Sequence, residues 1–522
     1  MEVPVRRVRL VLFALLLLVP GSAPADEGHH HEAVPPEKLG AVHFWISARP
    51  SVQRDFNRAV ALLHSFEYEQ AEKAFRSIVQ AEPRLGMGYW GIAMSNYHPI
   101  WGPSTGVELE RGRVAAAKAA RLGARTDRER SYIAAIGAYY RGVKPDFPAR
   151  KAAFEKAMER LHGRYPDDLE GTVFYALAIL GTAPTTDKTY AKQRKAADLL
   201  NSVLSKAPDH PGIAHYLIHS LDYPELANLA LPAARAYSKI APSAPHAQHM
   251  PSHIFTRLGF WEESIQSNLA SAQASRELMA KTNPGSTYFE ELHAMDYLEY
   301  AYLQLGQEDK AKGVVDAMAA VSKVNQPTLS AAYAFAASPA RYALERRQWA
   351  EAKQLTVSPE WFPWNQFPGA EAVTHFARGI GAARSGDVEI ARAELEKLDA
   401  LHEKLVGAKE GYNWADQVEV QRLAVKGWVA RAEKLDDEAV RDLRSAADLE
   451  DSIDKHPVTP GAILPARELL ADLLMDLNRD ADAVAEYEAV LKSAPGRKNS
   501  VHGLEIAKRG TSSATDPSSL SR

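Results

Sequence analysis

Two histidine pairs with helical spacing, His215 with His219 and His249 with His253, recur 34 residues apart in this sequence. Residues four apart on a helix carry Cβ atoms about 5–6 Å from one another, so each pair sets two imidazoles on one face. Of the 18 histidines, seven fall between positions 210 and 293, namely His210, His215, His219, His246, His249, His253 and His293, where a proportional share of the 522 residues would be about three. Packed helices lie about 8–10 Å apart, and an imidazole nitrogen binds zinc at about 2.0–2.1 Å. Rings from facing helices therefore reach a single ion held between them. The expected metal ligands are His215, His219, His246, His249, His253, His293 and Asp296. A carboxylate from Asp222, Asp296 or Glu299 would complete the shell or orient a ring through its second nitrogen.

The chain has no cysteine, which excludes thiolate ligands and thiol nucleophiles. Imidazole and carboxylate donors suit zinc, copper, iron or manganese. Glu290 and Glu291, just before His293, are candidate ligands or general bases, or an ordinary acidic helix start. Pro251 falls between His249 and His253. A proline there either kinks the helix or begins it, leaving His249 in the lead-in. Two other readings of the histidines stay open. They can be hydrogen-bonded core groups, or they can line a groove that receives an acidic or aromatic partner. No HExxH, GxSxG, Walker or GxGxxG pattern occurs, so the sequence identifies no catalytic residue.

The elements that must position these residues are helices. The chain is rich in alanine, leucine, glutamate and arginine and lacks runs of alternating β-branched residues. The segment Tyr68-x-x-Ala71-x-x-x-Phe75-x-x-Ile78-x-x-x-x-Pro83 places a small residue where two helices would cross, an aromatic one turn on, and a proline as the stop. Ala196, Ala230, Ser264, Ala311, Ala352, Ala391, Ala439 and Ala483 head the same ladder, and the steps from Ala196 to Ala230 to Ser264 are 34 residues each. That is the period of the tetratricopeptide repeat. The chain resembles this superfamily over nearly its whole length, which implies an all-α, tetratricopeptide-type α-solenoid, a right-handed superhelix of helix pairs. The resemblance further implies that repeat positions 2, 5, 9, 12 and 13 face a concave groove. His215, His219, His246, His249, His253, His293 and Asp296 count to such positions, as do Asp222, His64 and His98. Aromatic residues near these histidines, such as Trp101 and Tyr288, are read as core side chains before pocket walls.

The blocks 62–75, 87–101, 210–227 and 245–264 resemble a narrower group of exported bacterial repeat proteins. Export is also legible at the N-terminus. Arg6, Arg7 and Arg9 precede a ten-residue apolar run from Leu10 to Val19, and Ala23-Pro24-Ala25 offers a cleavage site before Asp26. The run falls short of the roughly 20 residues that span a bilayer. The expected organisation is a signal peptide over 1–25, a flexible histidine-containing arm and lead-in over 26–49, repeat arrays over 50–360 and 361–508, and a disordered tail over 509–522. The expected location is the periplasm or the exterior, with no membrane span after cleavage. A net charge of -4 gives no electrostatic reason to expect nucleic acid. Two functions are compatible with these features. One is a superhelical protein that binds a transition metal, copper, zinc or iron, with an open coordination position able to activate water or dioxygen. The other is a metal-free scaffold whose groove takes a peptide or protein partner.

Overall fold

The protein is described from a computed structural model over residues 1, 37–142, 146–407 and 412–514. The proposed signal peptide, the His29-His30-His31 arm and the end of the tail lie outside the described residues. Of the two units into which the chain divides, Met1–Glu37 and Lys38–Arg522, the second holds every described helix and every candidate ligand. Its described residues are helices joined by turns and irregular connections, with one short 3-10 turn and an isolated bridge between Thr287 and Val324. No described helix is long and apolar enough to cross a membrane.

The repeat is visible in its turns. Phe66, Gly259, Gly306, Arg347, Gly386, Lys434 and Asn478 each take a left-handed conformation, with φ between +56° and +81°. Each stands two residues before the second helix of a pair. In every one of these turns the following N–H donates to the carbonyl five residues back, from Glu67 to Leu62, Phe260 to Phe255, Gln307 to Tyr302, Gln348 to Ala343, Asp387 to Ala382, Leu435 to Ala430 and Arg479 to Leu474, at 2.8–3.0 Å. This closes the first helix by a Schellman motif and launches the second antiparallel to it. Four of the seven residues are not glycine, and each accepts a conformation that costs an L-residue roughly 1–2 kcal/mol.

The ladder residues explain why the pairs close. Ala71, Ala196, Ala230, Ser264, Ala311, Ala352, Ala391, Ala439 and Ala483 are all completely buried. Side chains no larger than a methyl or hydroxymethyl let the two helix axes approach at those points. The remaining apolar faces stack into two clusters, one running from Leu39 to Phe255 and the other from Trp261 to Ala507. Leu39, Val42 and Phe44 are buried in the first, so the lead-in is fixed to the body from about residue 39 onward.

Two long-range arrangements position the site. The helix Pro50–His64 packs against Pro211–Leu221, far along the chain. The connection 453–465, between the helices Asp436–Ser452 and Ala466–Asp476, folds back over the middle of the chain. There the Tyr297 hydroxyl donates to the Thr459 carbonyl at 2.9 Å and Lys455 Nζ donates to Asp222 at 3.3 Å.

Candidate metal centre

Four helices bring the six histidines together. His215 and His219 lie on Pro211–Leu221, His246 and His249 on Pro245–His249, His253 on Pro251–Arg257, and His293 on Phe289–Gln304. Three of these helices open on a proline, whose fixed φ suits the first helical turn. Pro251 begins a new helix, and Met250 before it keeps right-handed helical angles (φ -53°, ψ -35°). The break therefore leaves the spacing of the pair intact. The His249 and His253 rings are 4.9 Å apart centre to centre, against 4.7 Å for His215 and His219.

The sequence expectation of one shared ion between two i,i+4 pairs is not how the rings divide. They form two triads, His215 with His219 and His246, and His249 with His253 and His293. In each triad one nitrogen from every ring lies within 4.8 Å of the others. His246 crosses over to the pair on the preceding helix, and His293 completes the other set from the following repeat. The rings are not displayed on an open groove either. All six are buried, from 0% exposure at His215 and His249 to 8% at His219. Four of them, His219, His246, His253 and His293, reach the wall of a cavity of about 1000 Å³, which Trp101, Phe289 and Trp414 also line.

In three of the rings a hydrogen bond on the outer side determines which nitrogen faces inward. His253 Nδ1–H donates to Asp222 Oδ2 at 3.0 Å, His249 Nδ1–H to Asn268 Oδ1 at 2.7 Å, and His215 Nδ1–H to the His64 carbonyl at 2.6 Å. These oxygens only accept; Asn268 spends its own N–H on the Ser264 carbonyl at 2.8 Å. The three Nε2 atoms are therefore lone-pair acceptors aimed at the interior. His249 Nε2 and His253 Nε2 stand 3.0 Å apart. Neither has a proton to share at neutral pH. Burial drives His249 well below its ordinary value, and burial lowers His253 to about 4 in spite of Asp222. Two lone pairs facing each other at hydrogen-bond distance repel unless a cation lies between them.

The first triad has the same contact, with His215 Nε2 and His246 Nε2 at 3.1 Å. His246 Nδ1 meets Glu290 Oε2 at 3.1 Å. Burial pushes Glu290 up to about 8, so in the metal-free protein its proton can pass along this line of groups. Each triad also holds one buried nitrogen with no hydrogen-bond partner among the described residues, Nε2 of His219 and Nδ1 of His293.

Of the expected carboxylates, Asp222 serves the site. Burial would raise it, yet Lys455 and Arg257 hold it well below the usual carboxylate range, so it stays an acceptor for His253. Asp296 and Glu299 turn away to Arg341, with Glu299 Oε2 at 3.3 Å from the guanidinium. Asp296 is thus outside both triads. Glu291 pairs with Arg276 at 2.7 Å. His98 and Trp101 reach the cavity, whereas Trp90 and Tyr97 are core. One supporting group has no signal in the spacing: Glu170 binds His64 at 2.9 Å and His210 at 3.0 Å, all three buried. Gly212 makes room for it, since a Cβ there would stand 2.6 Å from His64 Nδ1. Through the His64 carbonyl this group sets the orientation of His215.

The buried neutral rings give the metal-free protein an acid limit. Folded values of about 3 for His246 and about 4 for His253 lie below the 6.5 of an exposed histidine. The unfolded chain then binds the extra protons. Stability is full above pH 6.5 and is lost as pH falls toward 4, by up to about 1.4 kcal/mol per pH unit for each ring. Glu290, Asp296 and Glu299, which burial raises, work in the opposite sense. The melting temperature of chelator-treated protein should therefore fall steadily from pH 6.5 to pH 4, and a flat profile would contradict the burial of neutral rings.

No protein-family model matches the chain, and no curated protein matches its sequence. Among solved structures it is similar to yeast Tom70 (12% identity, TM-score 0.32, over 90% of this chain and 97% of that one). It is also similar to the P58(IPK) TPR domain (10% identity, TM-score 0.21, 89% and 99%) and to a human IFIT1 dimer with m7Gppp-AAAA (12%, TM-score 0.37, 83% and 90%). Likeness at this level bears on neither ligand nor reaction. It is the chain's own geometry, nine buried ladder residues and seven matching turns, that makes it an all-α solenoid of tetratricopeptide-type helix pairs.

Proposed function

We propose that this is an exported helical-repeat metalloprotein that binds a transition metal ion at His249, His253 and His293, beside a cavity that His253 and His293 border. The observation that carries the reading is the 3.0 Å approach of two unprotonated Nε2 atoms whose outer nitrogens are already committed. Two imidazoles on one tetrahedral or trigonal ion have nitrogens about 3.3–3.6 Å apart, given metal–nitrogen bonds of about 2.0–2.1 Å. A small outward movement would accommodate the ion. The outer partners Asp222 and Asn268 have the roles that carboxylates and amides take behind metal-binding histidines. An all-imidazole set suits copper or zinc better than iron, which favours a carboxylate beside two histidines. Export rests on the N-terminal sequence and on the resemblance of the histidine-bearing blocks, and the periplasm or the exterior is its proposed destination.

Three ring ligands leave a coordination position for water, dioxygen or a substrate atom. His253 and His293 border the cavity, so that position faces a space large enough for a small organic molecule. The size of the cavity also supports a second reading, a scaffold that seats the end of a peptide without metal. Elemental analysis of the purified protein separates the two. Near-stoichiometric copper, zinc or iron, lost on His249→Ala/His253→Ala substitution, is the expected result. Protein that stays metal-free after incubation with these ions, yet retains a peptide, sinks the metal reading.

A further inference from the structure

We propose that the site is dinuclear and holds two copper ions, one in each histidine triad, taken up in the cuprous state. This rests on the reading of the site as a metal centre and extends it to the first triad. The two sets are built alike. Each has three convergent imidazoles, a close Nε2–Nε2 contact, and one buried nitrogen lacking a partner among the described residues. A single ion occupies one triad only, and leaves the three convergent rings of the other unbound.

The sets are also neighbours. His219 and His253 are 6.2 Å apart centre to centre and His246 and His249 are 6.3 Å apart, which leaves no room for an intervening side chain. His219 and His246 of one set and His253 and His293 of the other border the same cavity. A small ligand entering from it would meet both ions.

Charge selects the metal. Six neutral rings bring no negative charge. Asp222 is already matched by Arg257 and Lys455, and Glu290 is the carboxylate at His246. Repulsion between two ions scales with the product of their charges, so two monovalent ions repel about one quarter as strongly as two divalent ones at the same distance. Copper combines affinity for imidazole with a stable monovalent state.

The test is an anaerobic titration of metal-free protein with cuprous ion against a chromophoric chelator. The wild type should bind two equivalents. His215→Ala/His246→Ala and His249→Ala/His253→Ala should each bind one, with far-UV circular dichroism showing that the helices persist. One equivalent in the wild type overturns the dinuclear assignment and leaves the metal reading standing, whereas none overturns both. Should a double variant fail to fold, the wild-type count still decides. A wild type that takes two zinc ions from an equimolar mixture with cuprous ion overturns the choice of copper.

Discussion

Asp222→Asn should lower metal affinity by about 10- to 100-fold, the usual cost of losing a partner behind a ligand histidine. Asp222 does three things at once: it accepts from His253 Nδ1–H, from Arg257 at 2.9 Å and from Lys455. An asparagine offers one oxygen to those three donors and turns an N–H₂ toward at least one of them. If the amide faces His253, the ring must flip its proton to Nε2, where it blocks the ion. Competition with a chelator of known affinity measures the loss. Unchanged affinity in a folded Asp222→Asn protein would mean that His253 is not a ligand, or not through Nε2.

The largest effect on stability is expected from Arg341→Met. Arg341 is fully buried and neutralises Asp296 and Glu299, which are themselves buried on the helix that carries His293. Removing the guanidinium strands two carboxyl groups, and breaking a buried pair from one side costs about 3–5 kcal/mol. Burial already raises both acids despite the arginine, so they would take up protons rather than remain charged. Denaturant unfolding should show the loss, and Asp296→Asn/Glu299→Gln added to Arg341→Met should recover part of it. Full stability in the single variant would show that these acids are hydrated.

The periodic features of this molecule are legible in its sequence, and the ones created by packing are not. The ladder positions and the 34-residue repeat of the histidine pairs depend on local helical geometry, and the same spacing appears in the fold. The division into two triads depends on how His246 and His293 pack across repeats, which no spacing reveals. The burial of the rings escapes a sequence reading because the connection carrying Lys455 returns from far along the chain. Asp296 has the helix face of a ligand, but Arg341, 45 positions on, claims it instead. One signal is present in the sequence and easily passed over. Asn268 occupies a ladder position held by Leu200 and Ala234 in the two preceding repeats. An amide in an apolar ladder needs a buried partner, and His249 is that partner.

The measurement closest to the central claim is anomalous diffraction from crystals of the metal-loaded protein, collected at the absorption edge of the bound metal. A peak is expected within bonding distance of His249 Nε2 and His253 Nε2, beside His293. Well-ordered crystals with no peak there, and with those two nitrogens still facing each other unbridged, would contradict it.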